Sequence, residues 1–238
     1  MTLTKLKPVH YIAIGAAVLL IAWWLISGSV GKQANADNDV LSHELFNGES
    51  PWVAINENMP EFTEEEKQST ASFEIYSELD YLGRAQIAYA NIGPDILPDG
   101  NREATGNIQP TGWNQNQYDF ITGKYLYNRC QLIGTPLSNA SNDERNIITA
   151  TRYMNIDAML PIEAQIANFV KETGYHVLYR VTPMYFGDNL LAEGVQVEAF
   201  SVEDNGASIC FNAFCCNVQP GVEINYEDGS NWVAVIEQ

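Results

Sequence analysis

The chain has 238 residues, 46% hydrophobic and 11% aromatic, which suffices for one large globular domain with a core. Its formal charge is -18, from 12 Lys and Arg against 30 Asp and Glu. That balance argues against a tight, sequence-independent clamp on nucleic acid, whose affinity comes from neutralising phosphates. An extracellular domain, or one that uses a bound metal as its positive charge, is compatible with it.

At the N-terminus, Lys5 and Lys7 precede an uncharged apolar run over residues 11–26. Val9, His10, Ser27 and Gly28 extend it toward the roughly 20 residues that span a bilayer, and Trp23 and Trp24 suit the interface. Residues 1–30 are therefore expected to form a transmembrane signal-anchor, with the lysines on the cytoplasmic side. A cleaved signal peptide is the competing reading, with Ala34-Asn35-Ala36 as a cleavage site set rather far beyond the apolar run. Both export the rest of the chain, either held at the cell membrane or secreted after cleavage behind Ala36.

Residues 31–70 are polar and acidic, with Glu64, Glu65 and Glu66 in succession. They read as an extracytoplasmic tether in which Pro51, Trp52, Val53 and Phe62 dock only locally. Residues 71–238 form the folded domain. Strands are expected over 73–76 and 85–90, with a turn at 82–84, then a Gly-, Pro- and Asn-rich loop over 91–110 and a mixed segment over 112–132. Residues 146–155 read as a loop leading to a helix. The helix itself is expected over 161–173, with Ile162, Ile166, Phe169 and Val170 at helical spacing, Pro161 in its first turn and Gly174 at its end. Three strand candidates follow, over 176–183, 194–203 and 207–217. Strands with one long helix indicate an α+β domain with a mixed or antiparallel sheet. The cysteines, Cys130, Cys210, Cys215 and Cys216, show no zinc spacing, and a disulfide is permitted outside the cell without being required.

The string Tyr125-Leu126-Tyr127-Asn128-Arg129-Cys130-Gln131-Leu132-Ile133-Gly134 resembles a motif of the ββα-metal family of DNA/RNA non-specific endonucleases, of the DNA-entry type. That motif runs Asp or Asn, Arg, a small residue, and the catalytic His. Residues 146–155 (NIITATRYMN) resemble the family's metal-site helix, and Glu163 follows at an acidic position of its pattern. Residues 176–183 (HVLYRVTP), 197–204 (VEAFSVED) and 217–229 (NVQPGVEINYEDG) resemble its C-terminal strands, so the likeness spans residues 73–229. The implied fold is the ββα-metal nuclease fold. The implied activity is metal-dependent, sequence-nonspecific cleavage of extracellular DNA, with RNA as a further substrate class and no organic cofactor.

By this resemblance Asn155 supplies an amide oxygen to Mg²⁺ or Mn²⁺, with Asn146 supporting the metal site from the loop. Mg²⁺ keeps most of its waters and takes few protein ligands, all oxygen. Glu163 orients the groups around the metal or holds a water, and Arg129 or Arg152 contacts the scissile phosphate. Each has a plainer role available: Asn146 as a helix cap, Glu163 as a first-turn carboxylate, Arg152 as a surface ion pair.

Gln131 is the departure, standing where the family's general base is His. An amide positions a water but accepts no proton near neutral pH, and loss of a general base costs about 10²–10⁴-fold. Of the histidines, His10 and His43 lie outside the domain, and His176 opens a core strand. Glu163, or water on the metal, is the substitute base. The alternative function is a nuclease-fold surface protein that binds nucleic acid and cuts it weakly or not at all.

Overall fold

The computed structural model describes residues 45–98, 108–138 and 142–235. The expected transmembrane segment, and the tether up to residue 44, lie outside the described residues. Among those described, no helix is long and apolar enough to cross a membrane.

In chain order the strands among the described residues are β1 (Trp52–Ala54), β2 (Phe73–Tyr76), β3 (Ala88–Ile92), β4 (Tyr127–Gln131), β5 (Ile147–Thr151), β6 (Val177–Met184), β7 (Gly194–Ser201), β8 (Cys210–Cys216), β9 (Val222–Ile224) and β10 (Asn231–Val233). The long helix α1 (Leu160–Thr173) falls between β5 and β6. Six strands form one sheet in the order β1-β8-β7-β6-β3-β2, every neighbouring pair antiparallel. β4 and β5 make a separate antiparallel ribbon with Cys130 opposite Ile148, and β9 and β10 a third pair. This is an α+β fold, and of the two sheet types expected it has the antiparallel one.

Alternation along β6 and β7 gives the sheet two buried faces. Val177, Tyr179 and Val181 lie with Val195, Val197 and Ala199 in the main core, which Ile166, Ala167 and Val170 of α1 and Cys130, Ile148 and Ala150 of the ribbon complete. Leu178 and Phe200 turn to the opposite face and pack with Phe62, Tyr89 and Val202. The ribbon therefore sits with α1 on one side of the main sheet.

Three sequence-based boundaries are corrected. The folded unit begins N-terminal to residue 71: β1 pairs with β8, and Phe62, only 5% exposed, stacks on Tyr89. β3 runs to Ile92 because its pairing with β6 continues as far as Val177, and Asn91 Nδ2 donates to the carbonyls of Ser69 and Ala71. Residues 147–151 are a fully buried strand, which suits the β-branched run Ile-Ile-Thr-Ala-Thr. The helix matches its expected span. Pro161 sits in its first turn, and Gly174, at φ 73°, closes it by donating its N–H to Val170 O. Pro161 does not separate it from Asn155, since a π-helical stretch, Met154–Met159, runs directly into α1. The four cysteines are free thiols.

Candidate active site

The ribbon strand β4 carries the motif, and its alternation sorts the side chains. Cys130 points into the core with 0% exposure, while Arg129 and Gln131 take the other face and are half-buried. Arg129 stacks its guanidinium on Trp113 at 4.5 Å and donates from Nε to Ile108 O. Its charge is thereby used to fasten the segment around residues 108–113 over the ribbon. Arg152, directly after β5, lies against the turn at Gly123 and forms no ion pair among the described residues.

Asn146, Asn155 and Glu163 converge on the short stretch 130–134, which contains Gln131. Asn146 is fully buried and clasps Ile133 twice, accepting from its N–H at 2.9 Å and donating to its carbonyl at 3.0 Å. Its own backbone carbonyl takes the N–H of Leu132 at 2.8 Å. Asn155, the second residue of the π-helical stretch, is half-buried; its Oδ1 accepts from the Cys130 thiol at 3.2 Å. Glu163, 4% exposed, accepts from the Gly134 N–H at 2.8 Å and from the Tyr179 hydroxyl at 3.5 Å. A Cβ at position 134 would run into the Glu163 carboxylate, so glycine is required there by close approach. Asn155, Met159 and Glu163 succeed one another at four-residue intervals, which carries Asn155 and Met159 to Cys130 and Glu163 to Gly134.

Burial dominates the electrostatics. It pushes the Glu163 carboxyl from 4.5 up to about 8, against the lowering effect of its two hydrogen bonds, so the group is largely neutral at pH 7. Burial likewise pushes the Cys130 thiol well above its ordinary value. Neither the Cys130 thiol nor the two amides accepts a proton at neutral pH, and Glu163 is mostly protonated there. His176 is committed elsewhere: its Nδ1 lies 2.6 Å from Glu203 Oε1, and its N–H donates to Glu203 Oε2 at 2.7 Å.

Two amides that sequence reasoning did not single out guard the ribbon's free edges. Gln115 pairs with Tyr127 through both its oxygen, at 2.9 Å, and its nitrogen, at 2.6 Å. Asn217 accepts from Thr151 N–H at 2.8 Å and donates to Thr149 and Ala192 carbonyls at 3.2 and 2.9 Å. Nothing local in the sequence marks either one, because each acts on a strand distant in the chain.

Among the described residues no three His, Cys, Asp or Glu side chains cluster to hold a metal. What the site offers is one hard amide oxygen on a half-buried side chain, Asn155 Oδ1. That donor fits a cation that keeps most of its waters, as Mg²⁺ does, and suits a soft, thiolate-seeking ion poorly.

The family model for DNA/RNA non-specific endonucleases matches residues 63–203. A deoxyribonuclease of Streptococcus dysgalactiae subsp. equisimilis is 27% identical over 206 residues, covering 69% of this chain and 62% of that protein, so the match spans less than two thirds of the relative. Among solved structures, NucA from Streptococcus agalactiae with magnesium ion bound superposes with a TM-score of 0.67 at 22% identity, covering 76% of this chain and 86% of that one. Sda1 nuclease with bound zinc ion gives a TM-score of 0.65 at 24% identity, covering 78% and 97%. Both likenesses concern the fold, and the metals named are those of the relatives. With 141 residues matched, from 63 to 203, the chain belongs to the family of DNA/RNA non-specific endonucleases.

Proposed function

We propose that the chain is a slow, metal-dependent endonuclease that hydrolyses DNA phosphodiesters without sequence preference, with RNA as a second substrate class. The observation that carries this reading is the convergence of Asn146, Asn155 and Glu163 on residues 130–134. Two segments, the turn before β5 and the continuous helix from Met154 to Thr173, place polar side chains against the strand end where the family keeps its base. Asn155 Oδ1 is the atom that would hold Mg²⁺ or Mn²⁺. Such a cation supplies charge stabilisation at the phosphoryl oxygens and the leaving oxygen.

The remaining roles belong to the chain. Asn146 works behind the metal ligand, since both atoms of its amide are engaged by Ile133. Glu163, buried and engaged by Gly134, positions the strand end and lies too deep to serve as the base. Arg129 aligns β4, which leaves Arg152 as the arginine for a substrate phosphate. Gln131 orients the attacking water through its amide without taking its proton. The step then depends on solvent for proton removal, and a rate about 10²–10⁴-fold below that of a His-bearing equivalent is expected. The uncharged run behind Lys5 and Lys7 supports an anchored chain with this domain outside the membrane.

The scarcity of proton acceptors among the described residues of the site also favours a second reading, capture of nucleic acid without cleavage. Nicking of supercoiled plasmid separates the two. Divalent-dependent nicking by the parent chain, abolished by EDTA and by Asn155→Ala, is the expected result. No nicking at any divalent concentration would overturn the enzyme reading in favour of capture.

A further inference from the structure

The motif position before Gln131 is a small residue in the family pattern, and here it carries a thiol. Cys130 is fully buried, with Asn155 Oδ1 at 3.2 Å, Met159 Sδ at 3.5 Å and Gln131 O at 3.5 Å around its sulfur. Its proton has one short oxygen acceptor, and that is the oxygen assigned to the metal. Asn155 itself is half-buried, and the thiol meets its amide from the core side.

We propose that Cys130 is a positioning residue for Asn155, its thiol holding the amide with Oδ1 rather than Nδ2 at the β4 face. This inference rests on Asn155 as the metal ligand and goes beyond it by naming what orients that ligand. A carbonyl oxygen has two lone pairs, so one accepts the thiol and the second stays available to a cation. Without that donor, nothing on the Cys130 side distinguishes the two orientations of the amide, only one of which presents oxygen there. Glycine or alanine at this position leaves orientation to chance, whereas cysteine adds a donor without adding a large side chain.

The test is Mn²⁺ binding to the full-length chain by electron paramagnetic resonance, with Cys130→Ala, Cys130→Ser and Asn155→Ala beside the parent. One hydrogen bond corresponds to about 2- to 10-fold in affinity. Cys130→Ala is expected to weaken Mn²⁺ by that factor, and Cys130→Ser, which keeps a donor, to bind within about 2-fold of the parent. If Cys130→Ala does not fold, Cys130→Val fills the space without a donor and takes its place. A metal-free readout accompanies it: the Asn155 side-chain amide signals in nitrogen-15 spectra should stay distinct in the parent and Cys130→Ser, and shift or broaden in the donor-free variant. Mn²⁺ binding lost in Asn155→Ala but unchanged or tighter in Cys130→Ala overturns this inference alone. Mn²⁺ binding absent from the parent, or untouched by Asn155→Ala, overturns the ligand reading and this inference with it.

Discussion

Glu163 shows how far a motif residue's chemistry is set by its surroundings. Its place in the family pattern and on α1 was legible from spacing, but its burial beneath Gly134 was not, because that contact joins segments 29 residues apart. Buried, it holds its proton up to about pH 8, against 4.5 when exposed, so between these values the folded chain binds a proton that the unfolded chain has released. Its contribution to stability is then full below about pH 4.5 and is lost as pH rises through about 8, on the order of 1 kcal/mol per unit. Glu163→Gln keeps an acceptor for Gly134 and removes the titration. Thermal unfolding from pH 5 to 9 should show the parent losing stability relative to Glu163→Gln, and parallel profiles would contradict the assignment. Cys130 marks the limit of sequence reading at this scale. Strand alternation predicts that it points away from Gln131, as it does, but not that its thiol meets Asn155.

The ribbon β4–β5 is the element that presents the motif, and neither of its strands is legible from local signals. β4 lay within a segment read only as mixed, and β5 within one read as loop, since its partner and its edge cover come from far along the chain. The helix, by contrast, announced itself through its apolar spacing, Pro161 and Gly174, all local signals. A two-stranded ribbon is marginal alone. Here its outer edges are satisfied by the Gln115 and Asn217 amides, and Asn146 clasps the residues that follow β4. Asn217→Ala leaves the Thr151 N–H and the Thr149 and Ala192 carbonyls without that partner in the interior. Each buried orphan costs about 1–3 kcal/mol, so the variant should lose about 3 kcal/mol in urea unfolding. A loss below about 1 kcal/mol would show that the ribbon is held in place by apolar packing instead.

Across the whole molecule, the acidic charge and the nuclease frame pull in opposite directions. Among the described residues Lys67, Arg84, Lys124, Arg145 and Arg180 are each paired with carboxylates, which reduces the positive charge there for neutralising phosphates. Repulsion from a chain of net charge -18 slows encounter with DNA, a limit distinct from the one proposed at Gln131. Composition exposed this tension at once, while the family resemblance supplied the fold and the motif residues. The extent of the folded unit is not legible in composition, because β1 and Phe62 sit in a stretch whose overall polarity masks a few buried anchors.

The central claim is that the frame is intact and only the base at position 131 is missing. Plasmid nicking by Gln131→His, measured beside the parent in Mg²⁺, tests it most directly. The expected result is a gain of about 10²–10⁴-fold that disappears in EDTA. A variant that folds and binds divalent metal but nicks no faster than the parent would contradict the account, and would place the defect in the scaffold rather than at Gln131.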